Sequence, residues 1–599
     1  MSTFARIVLP LVVGGAVQAQ VTQRLSENSG GAEGNGVSFF SEPRTATTTD
    51  GRFAMFAGGA SNLAPGDTNS AFDVLLKDRL LGSTELVSVS TSGTPGNGDS
   101  GLSGMAMSAD GRYIAFASFA TNLVAGDTNN TIDIFLRDRQ NGTTVLVSAD
   151  SSGVQGNLVS FEPSITPDGR FVAFSSQATN LVPGDTNGVW DVFVRDTLLG
   201  TTVRASVSTG GVEGNGASWD ADLTPDGRYM VFQSQATNLV AGSFQSSTQI
   251  FLRDMQTGTV ECISLAAPGV GGSASSAHPS LSADGRFVAF SSVAADLIAG
   301  DTNGVLDCFV RDRLLGTTDV VSASLGGSSG NGACGLAQIS TDGRFVAFDS
   351  DASDLVAGDT NMNRDVFVRD LAAGTTERVT LDSSGAETDG FARLGSISAD
   401  GRFVSFSSSA TTLVSGDTGS FLDTFLRDRA ASGFESACDA GGSGMLACPC
   451  SNQPAGAGQG CNNSANTGGA VLAATGAAYL SLDTLAFSTS GEMPSATSVV
   501  LQGDQFVAGG LVFGQGLRCA GGTLKRLFVK SASGGSITAP ELGAGDPGVA
   551  ARSAALGSPI QPGLPYAYLV YYRDPVVLGG CPAASTFNVT QTGLITWFP

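Results

Sequence analysis

An all-β chain is predicted: a seven-bladed β-propeller closed by an N-terminal strand, followed by a smaller disulfide-stapled β-sandwich-like domain. Three observations carry the prediction. Asp-Gly-Arg occurs seven times, at 50–52, 110–112, 168–170, 226–228, 284–286, 342–344 and 400–402, the first interval being 60 residues and the next five 58. Repetition at a fixed long period marks an array of equivalent structural units. Within each unit the apolar runs are short, β-branched or aromatic, and bounded by Asp-Gly or Gly-Thr turns, with no 3.6-residue period. Finally, the two ends of the array are complementary, as shown below.

The first segment, residues 1–19, reads as an export signal. Arg6 supplies the positive charge, Ile7 to Val17 the apolar stretch, and Val17-Gln18-Ala19 the small-residue cleavage site. The expected location is therefore secreted, periplasmic or cell-surface.

The propeller is expected over residues 20–436. In the third repeat, strand a precedes Asp168, strand b is Phe171–Ser175, strand c is Val192–Arg195 and strand d is Val203–Val207. Strands b and c are apolar on both faces, as a sheet packed between two neighbours requires. Four-stranded units arranged radially make a propeller. After the seventh Phe425-Leu-Arg-Asp428 the chain lacks its strand d, and Val21-Thr-Gln-Arg-Leu-Ser26 followed by Gly34-Asn-Gly36 matches a strand d with no blade before it. The N-terminal segment thus completes the last blade and removes an exposed sheet edge.

The recurring Pro-Ser-Ile-(Ser/Thr)-x-Asp-Gly-Arg-(Phe/Tyr)-Val-Ala-Phe-Ser-Ser, with Asp-Val-Phe-Val-Arg-Asp and Gly-Thr-Thr, resembles the WD40-like (PD40-type) propeller repeats of the TolB family. The resemblance implies an exported bacterial propeller. The chain departs from it in a longer b–c segment, Ala-Thr-Asn-Leu-Val-x-Gly-Asp-Thr-Asn, and in lacking a separate N-terminal α/β domain. A role in an envelope complex is therefore not carried over.

Residues 438–599 hold six of the nine cysteines, an even number suited to disulfides. Strands are expected at Ala478–Leu482, Ser498–Gln502, Leu527–Val529 and Ala567–Tyr571, between Gly- and Pro-rich turns. Cys262, Cys308 and Cys334 lie in the repeats, and their odd number leaves at least one without a partner among them.

Net charge is −23, and nearly all of it sits on the repeats, because residues 438–599 hold seven acids against six Arg or Lys. Nucleic acid and anionic lipid need clustered cations, so neither is an expected partner, and no segment after the N-terminus is long and apolar enough to span a membrane. The expected partner is a protein or a glycan at the cell envelope or outside it, met by a monomer.

The b–c loops carry the most pointed pattern, Asp-x-Asn-x-x-x-Asp. It occurs as Asp67/Asn69/Asp73, Asp127/Asn129/Asp133, Asp185/Asn187/Asp191, Asp301/Asn303/Asp307 and Asp359/Asn361/Asp365. Blade 7 keeps Asp417 and Asp423 around Gly419, and blade 4 loses all three together as Ser243/Gln245/Gln249. Two carboxylates, an amide and loop carbonyls suit a hard cation, Ca²⁺ above all. The same residues would equally hold a long loop by bonding backbone N–H groups. The loop is not an EF-hand: Asp196 falls at the twelfth position, but five strand residues carry it roughly 16 Å from Asp191.

With one histidine, His278, in place of the third repeat's Glu162, metal hydrolases and Ser-His or Cys-His nucleophiles are disfavoured. No single blade carries an unmatched acid pair. The sequence therefore points to a non-catalytic exported binding or scaffold propeller with acidic loops that Ca²⁺ would order. The alternative is a secreted carbohydrate-active enzyme, hydrolase or lyase, using carboxylates at the propeller mouth.

Overall fold

The computed structural model describes residues 20–597, apart from 42–44, 243–246, 420, 430–434, 439–445, 447, 449–452, 456–458, 476–477, 481, 563 and 577–585. The export signal expected over residues 1–19 lies outside the described residues. The chain divides into two compact units, one of them Val21–Arg429.

That unit contains seven four-stranded antiparallel sheets. In blade 3, strands a to d are Ser160–Ile165, Phe171–Ser176, Asp191–Asp196 and Thr201–Arg204. Strand d ends earlier than expected, and Val207 instead forms an isolated bridge to Glu213. The reason is local: Val207 N turns to the carbonyl of Ala205, curling the chain out of the ladder. The last sheet takes its fourth strand from the N-terminus, with Val21 opposite Asp428 and Arg24 opposite Phe425.

Neighbouring sheets pack through apolar side chains. Ala115, Ile134 and Val147 of blade 2 form one buried cluster with Val172, Phe174 and Phe193 of blade 3. Phe174 and Phe193 stack at 5.8 Å, and equivalent pairs recur at Phe290–Phe309 and Phe406–Phe425. Burying each such ring stabilises the fold by about 1.5–3 kcal/mol. From blade 2 to blade 7, strand a of each blade lies against strand a of the next, so the a strands surround the axis. Near their a–b ends, Met107, Ile165, Leu223, Leu281, Ile339 and Ile397 help narrow that axis to a cavity of about 110 Å³.

The repeated charges are consumed by turns and ties. Asp168 accepts from Thr166 Oγ1 at 2.6 Å and from Arg170 N at 3.0 Å, while the Arg170 guanidinium reaches Asp196 at 2.9 Å. Gly169 has φ +71°, and a Cβ there would meet the Tyr113 ring of the preceding blade at 2.5 Å, so only glycine fits this turn. Arg195 donates to the carbonyls of Ala149 and Asp150, fastening blade 3 to blade 2. Cys308 of blade 5 bonds to Cys334 of blade 6, and Cys262 is a buried free thiol.

The other unit includes Ala430–Pro599. Glu435–Cys438 pairs there with Thr592–Thr596, so residues 435 and 436 join this sheet rather than the propeller. Pro565–Arg573, Thr497–Gly503 and Lys525–Ser531 continue the same sheet, and Phe587–Val589 pairs with Pro565–Arg573. A second sheet is built from Val471–Thr475, Ala486–Ser490 and Thr538–Ala539. Leu472, Phe487, Val500, Phe528, Tyr568 and Trp597 share one core. Cys448 and Cys461 form a disulfide, and both described disulfides suit an oxidising compartment.

Two local expectations change in this unit. Ala478–Leu482 is not one strand but a small hairpin, Ala478–Tyr479 against Leu482–Asp483, turning at Leu480. The alanine-rich Val549–Ala555 is a short helix, its first turn capped by Asp483 accepting from Ala550 N at 2.8 Å.

Candidate functional site

The b–c loops and the d–a loops emerge on one face of the ring, and each acidic triplet meets the following d–a loop. In blade 3, Asn187 Nδ2 donates to Asp191 Oδ2 at 2.8 Å and to the Gly214 carbonyl at 3.1 Å, while its own oxygen accepts from Val189 N. The same arrangement holds Asn129, Asn303 and Asn361. Asn69 reaches Gly96 and accepts from Ala71 N in the same way. The asparagine oxygens are thus committed to backbone, and the amides tie two loops together. Of the three sequence-predicted positions, the asparagine already spends one acceptor of its oxygen on a backbone N–H.

Each second aspartate is buried at the head of strand c and takes a hydroxyl from strand d's extension. Ser88 donates to Asp73, Ser148 to Asp133, Ser206 to Asp191, Ser322 to Asp307, Thr380 to Asp365 and Ser26 to Asp423. Burial pushes Asp73, Asp133 and Asp423 up to about 6, with the nearby first aspartate adding to the shift.

Blade 4 explains its own exception. Gln249 Nε2 donates to the Gly272 carbonyl at 3.1 Å and Gln249 Oε1 accepts from Ser264 Oγ at 2.7 Å. One neutral amide performs the aspartate's and the asparagine's bonds together. Ser243 and Gln245 lie outside the described residues.

What lies between the paired aspartates differs from blade to blade. In blade 3 the Arg204 guanidinium lies 3.3 Å from both Asp185 and Asp191 and bonds Glu213. In blade 6 Arg378 lies 3.3 Å from Asp359, 3.6 Å from Asp365 and 2.5 Å from Glu387. In blade 7 Arg24 lies 3.4 Å from Glu33, whose carboxylate groups with Asp417 and Asp423. In blade 2 the Gln155 amide donates to Asp127 at 2.7 Å and to Asp133 at 2.8 Å. These arginine–glutamate pairs escaped the sequence reading, yet a signal exists: Arg24/Glu33, Arg204/Glu213 and Arg378/Glu387 share one spacing, and both members vanish together elsewhere. Blades 1 and 5 carry Leu86/Pro95 and Val320/Ser329 at those positions.

A second constellation sits on the inner strands. Glu162, Asp220 and His278 occupy the same position of strand a in blades 3, 4 and 5, each at a bulge, with φ of 52°, 58° and 53°. Such conformations cost of order 1–3 kcal/mol for a non-glycine residue and persist where their surroundings enforce them. Asp220 N donates to Glu162 Oε2 at 3.0 Å, and His278 Nδ1 lies 3.4 Å from Asp220 Oδ2. His278 N donates to Gln233 Oε1 at 3.3 Å. Asp220 is buried, whereas the His278 side chain is 31% exposed. An acid pair absent from the other blades thus exists, but it is divided between two neighbouring blades, which is why no single repeat displays it.

No family model matches the chain, and no curated protein matches it. Among solved structures, an oligogalacturonate lyase from Vibrio parahaemolyticus is 12% identical, covering 69% of this chain and 98% of its own, with a TM-score of 0.41. TolB from Acinetobacter baumannii is 17% identical over 60% of this chain and 77% of its own, with a TM-score of 0.31. The Cps50 (Swd1) β-propeller domain from Myceliophteria thermophila is 12% identical over 68% of this chain and 99% of its own, with a TM-score of 0.35. The propeller rests on the chain's own seven sheets and their N-terminal closure.

Proposed function

We propose that this protein is an exported, non-catalytic propeller that binds a protein or glycan at the cell envelope or outside it. One observation carries the reading. The repeated charges are spent on turns, inter-blade ties and loop locks, whereas Glu162, Asp220 and His278 break the repeat at three adjoining inner-strand positions. Non-repeated polar residues on a repeated scaffold are where recognition can differ from architecture. Ca²⁺ is the ion that an acidic loop without its own cation would take.

A specific feature also supports a second reading, a secreted carbohydrate-active enzyme: Glu162 and Asp220 form the non-repeated carboxylate pair such chemistry needs. One experiment separates the two. The mature protein and its Glu162→Gln/Asp220→Asn variant are immobilised and exposed to envelope extract and to a panel of polysaccharides. Capture by the wild type and loss of capture by the variant, with no polysaccharide cleaved, supports the binding reading. Turnover that the variant loses replaces it with the enzymatic one. Equal capture by both proteins sinks the assignment to these residues.

A further inference from the structure

Six acidic loops share one design, and in four of them the protein itself supplies a positive charge or a bridging amide near the two aspartates. Arg204 and Arg378 bring a positive charge into it directly. Arg24 stands beside Glu33 in blade 7, and the Gln155 amide bridges Asp127 and Asp133 in blade 2. Blades 1 and 5 have apolar Leu86 and Val320 where the arginine stands, and Pro95 and Ser329 where the glutamate stands.

Buried carboxylate oxygens without a hydrogen bond occur in blades 3 and 7 too, at Asp185, Asp417 and Asp423. Arg204 or Arg24 stands near those, whereas Leu86 and Val320 take that position in blades 1 and 5. Asp301 is 8% exposed, and its Oδ1 has no hydrogen-bond partner; it stands close enough to Asp307 to oppose that group's ionisation. Ser329 Oγ is buried beside the same Asp307 carboxylate and hydrogen-bonds toward it. In blade 1, Asp73 is fully buried and its Oδ2 meets no donor in good hydrogen-bond geometry, although the Asn69 amide lies beside it, with Asp67 as its acidic neighbour. A buried unsatisfied carboxylate oxygen costs folding free energy, more than a neutral group would. Two carboxylates with no counter-charge beside them among the described residues call for a divalent, oxygen-seeking cation.

We propose that the b–c loops of blades 1 and 5 each bind a hard divalent cation of the Ca²⁺ class, which does the work of the arginine in blades 3 and 6. Asp301, Asp307 and Ser329 supply protein oxygens in blade 5, and Asp67 and Asp73 supply them in blade 1. Water completes the six to eight oxygens such an ion takes at roughly 2.3–2.6 Å. The asparagine does not ligate; its amide positions the second aspartate. This refines the reading that Ca²⁺ orders acidic loops by stating which loops, and why the others do not need it.

The test is calorimetric titration of chelator-treated, full-length mature protein with Ca²⁺. The wild type is expected to bind two ions. Val320→Arg/Ser329→Glu, which installs the blade 3 arrangement in blade 5, should bind one and melt without Ca²⁺ at least as high as the wild type. The reverse change, Arg204→Val/Glu213→Ser, should bind three. Because substituted loops can misfold, Asp301→Asn gives a milder arm, expected to weaken one site by at least about tenfold while leaving the circular dichroism unchanged. If no Ca²⁺ binds at millimolar concentration, both this inference and the general Ca²⁺ reading fall. If Ca²⁺ binds but neither Val320→Arg/Ser329→Glu nor Asp301→Asn alters number or affinity, only the assignment to blade 5 is overturned. Capture of a partner through Glu162 and Asp220 is measured separately and is untouched by either result.

Discussion

Blades 3 and 5 share a loop motif, the strand sequence Phe-Val-Ala-Phe-Ser-Ser and a close phenylalanine pair, yet they differ in what faces the same two aspartates. Blade 3 reaches across with Arg204, which is fixed in turn by Glu213. Blade 5 has Val320 and Ser329 there and leaves Asp301 Oδ1 without a partner. The difference teaches that a repeat can conserve its scaffold and still vary its electrostatics. Backbone ties and the aromatic core are common to both blades, while the counter-charge comes from two side chains that change together.

The comparison breaks most visibly at the arginine. Arg204→Val leaves Asp185, Asp191 and Glu213 with no cation, and we expect a loss of about 3–5 kcal/mol in denaturant unfolding. The equivalent Val320→Ala in blade 5 should cost far less, since it removes only two methyl groups; equal costs would show that the arginine is not a counter-charge. A core change should not discriminate between the blades. Phe193→Ala and Phe309→Ala are each expected to cost about 3–5 kcal/mol, as both rings are fully buried.

Acid titration sharpens the contrast more gently. Burial and the adjacent Asp191 push Asp185 up to about 6 from 3.8, despite Arg204, and Asp133 likewise reaches about 6. The folded state therefore holds protons that the unfolded chain has released between those values, and stability falls as pH rises through the window. Glu213 is held at about 2 by hydrogen bonds from Thr186 and by Arg204, which together outweigh its burial. Its contribution is present above the unfolded value of 4.5 and disappears as pH falls toward 2. The melting temperature should thus be higher at pH 5 than at pH 7 and drop again below about pH 4. Asp133→Asn should shrink the rise between pH 7 and pH 5, as followed by scanning calorimetry. The smallest effect is expected at the turns: Asp168→Ala and Asp284→Ala should each cost about 1 kcal/mol, equally in the two blades.

Much of the candidate site was legible one residue at a time but not as a site. The acidic triplets and their lapse in blade 4 stand out because the period aligns them. That Gln249 replaces two residues at once appears only when Gly272 and Ser264 are seen beside it. The position shared by Glu162, Asp220 and His278 could be counted off, but that these side chains meet appears only when neighbouring inner strands lie side by side. The asparagines read either as cation ligands or as residues that hold a long loop; the structure shows the loop bonds, each oxygen accepting a backbone N–H.

By itself the sequence determined what depends on local pattern and on period. Apolar alternation and turn residues define four strands per repeat, Asp-Gly-Arg marks the register, and the missing strand d at one end matches the spare one at the other. Those features rest on interactions between near neighbours or on simple counting. The tertiary structure alone decided which carboxylates are compensated and which inner-strand residues meet. Arg204 and Asp185 lie on different segments, as do Glu162 and Asp220, and a charge is satisfied by what the fold brings within a few ångströms of it.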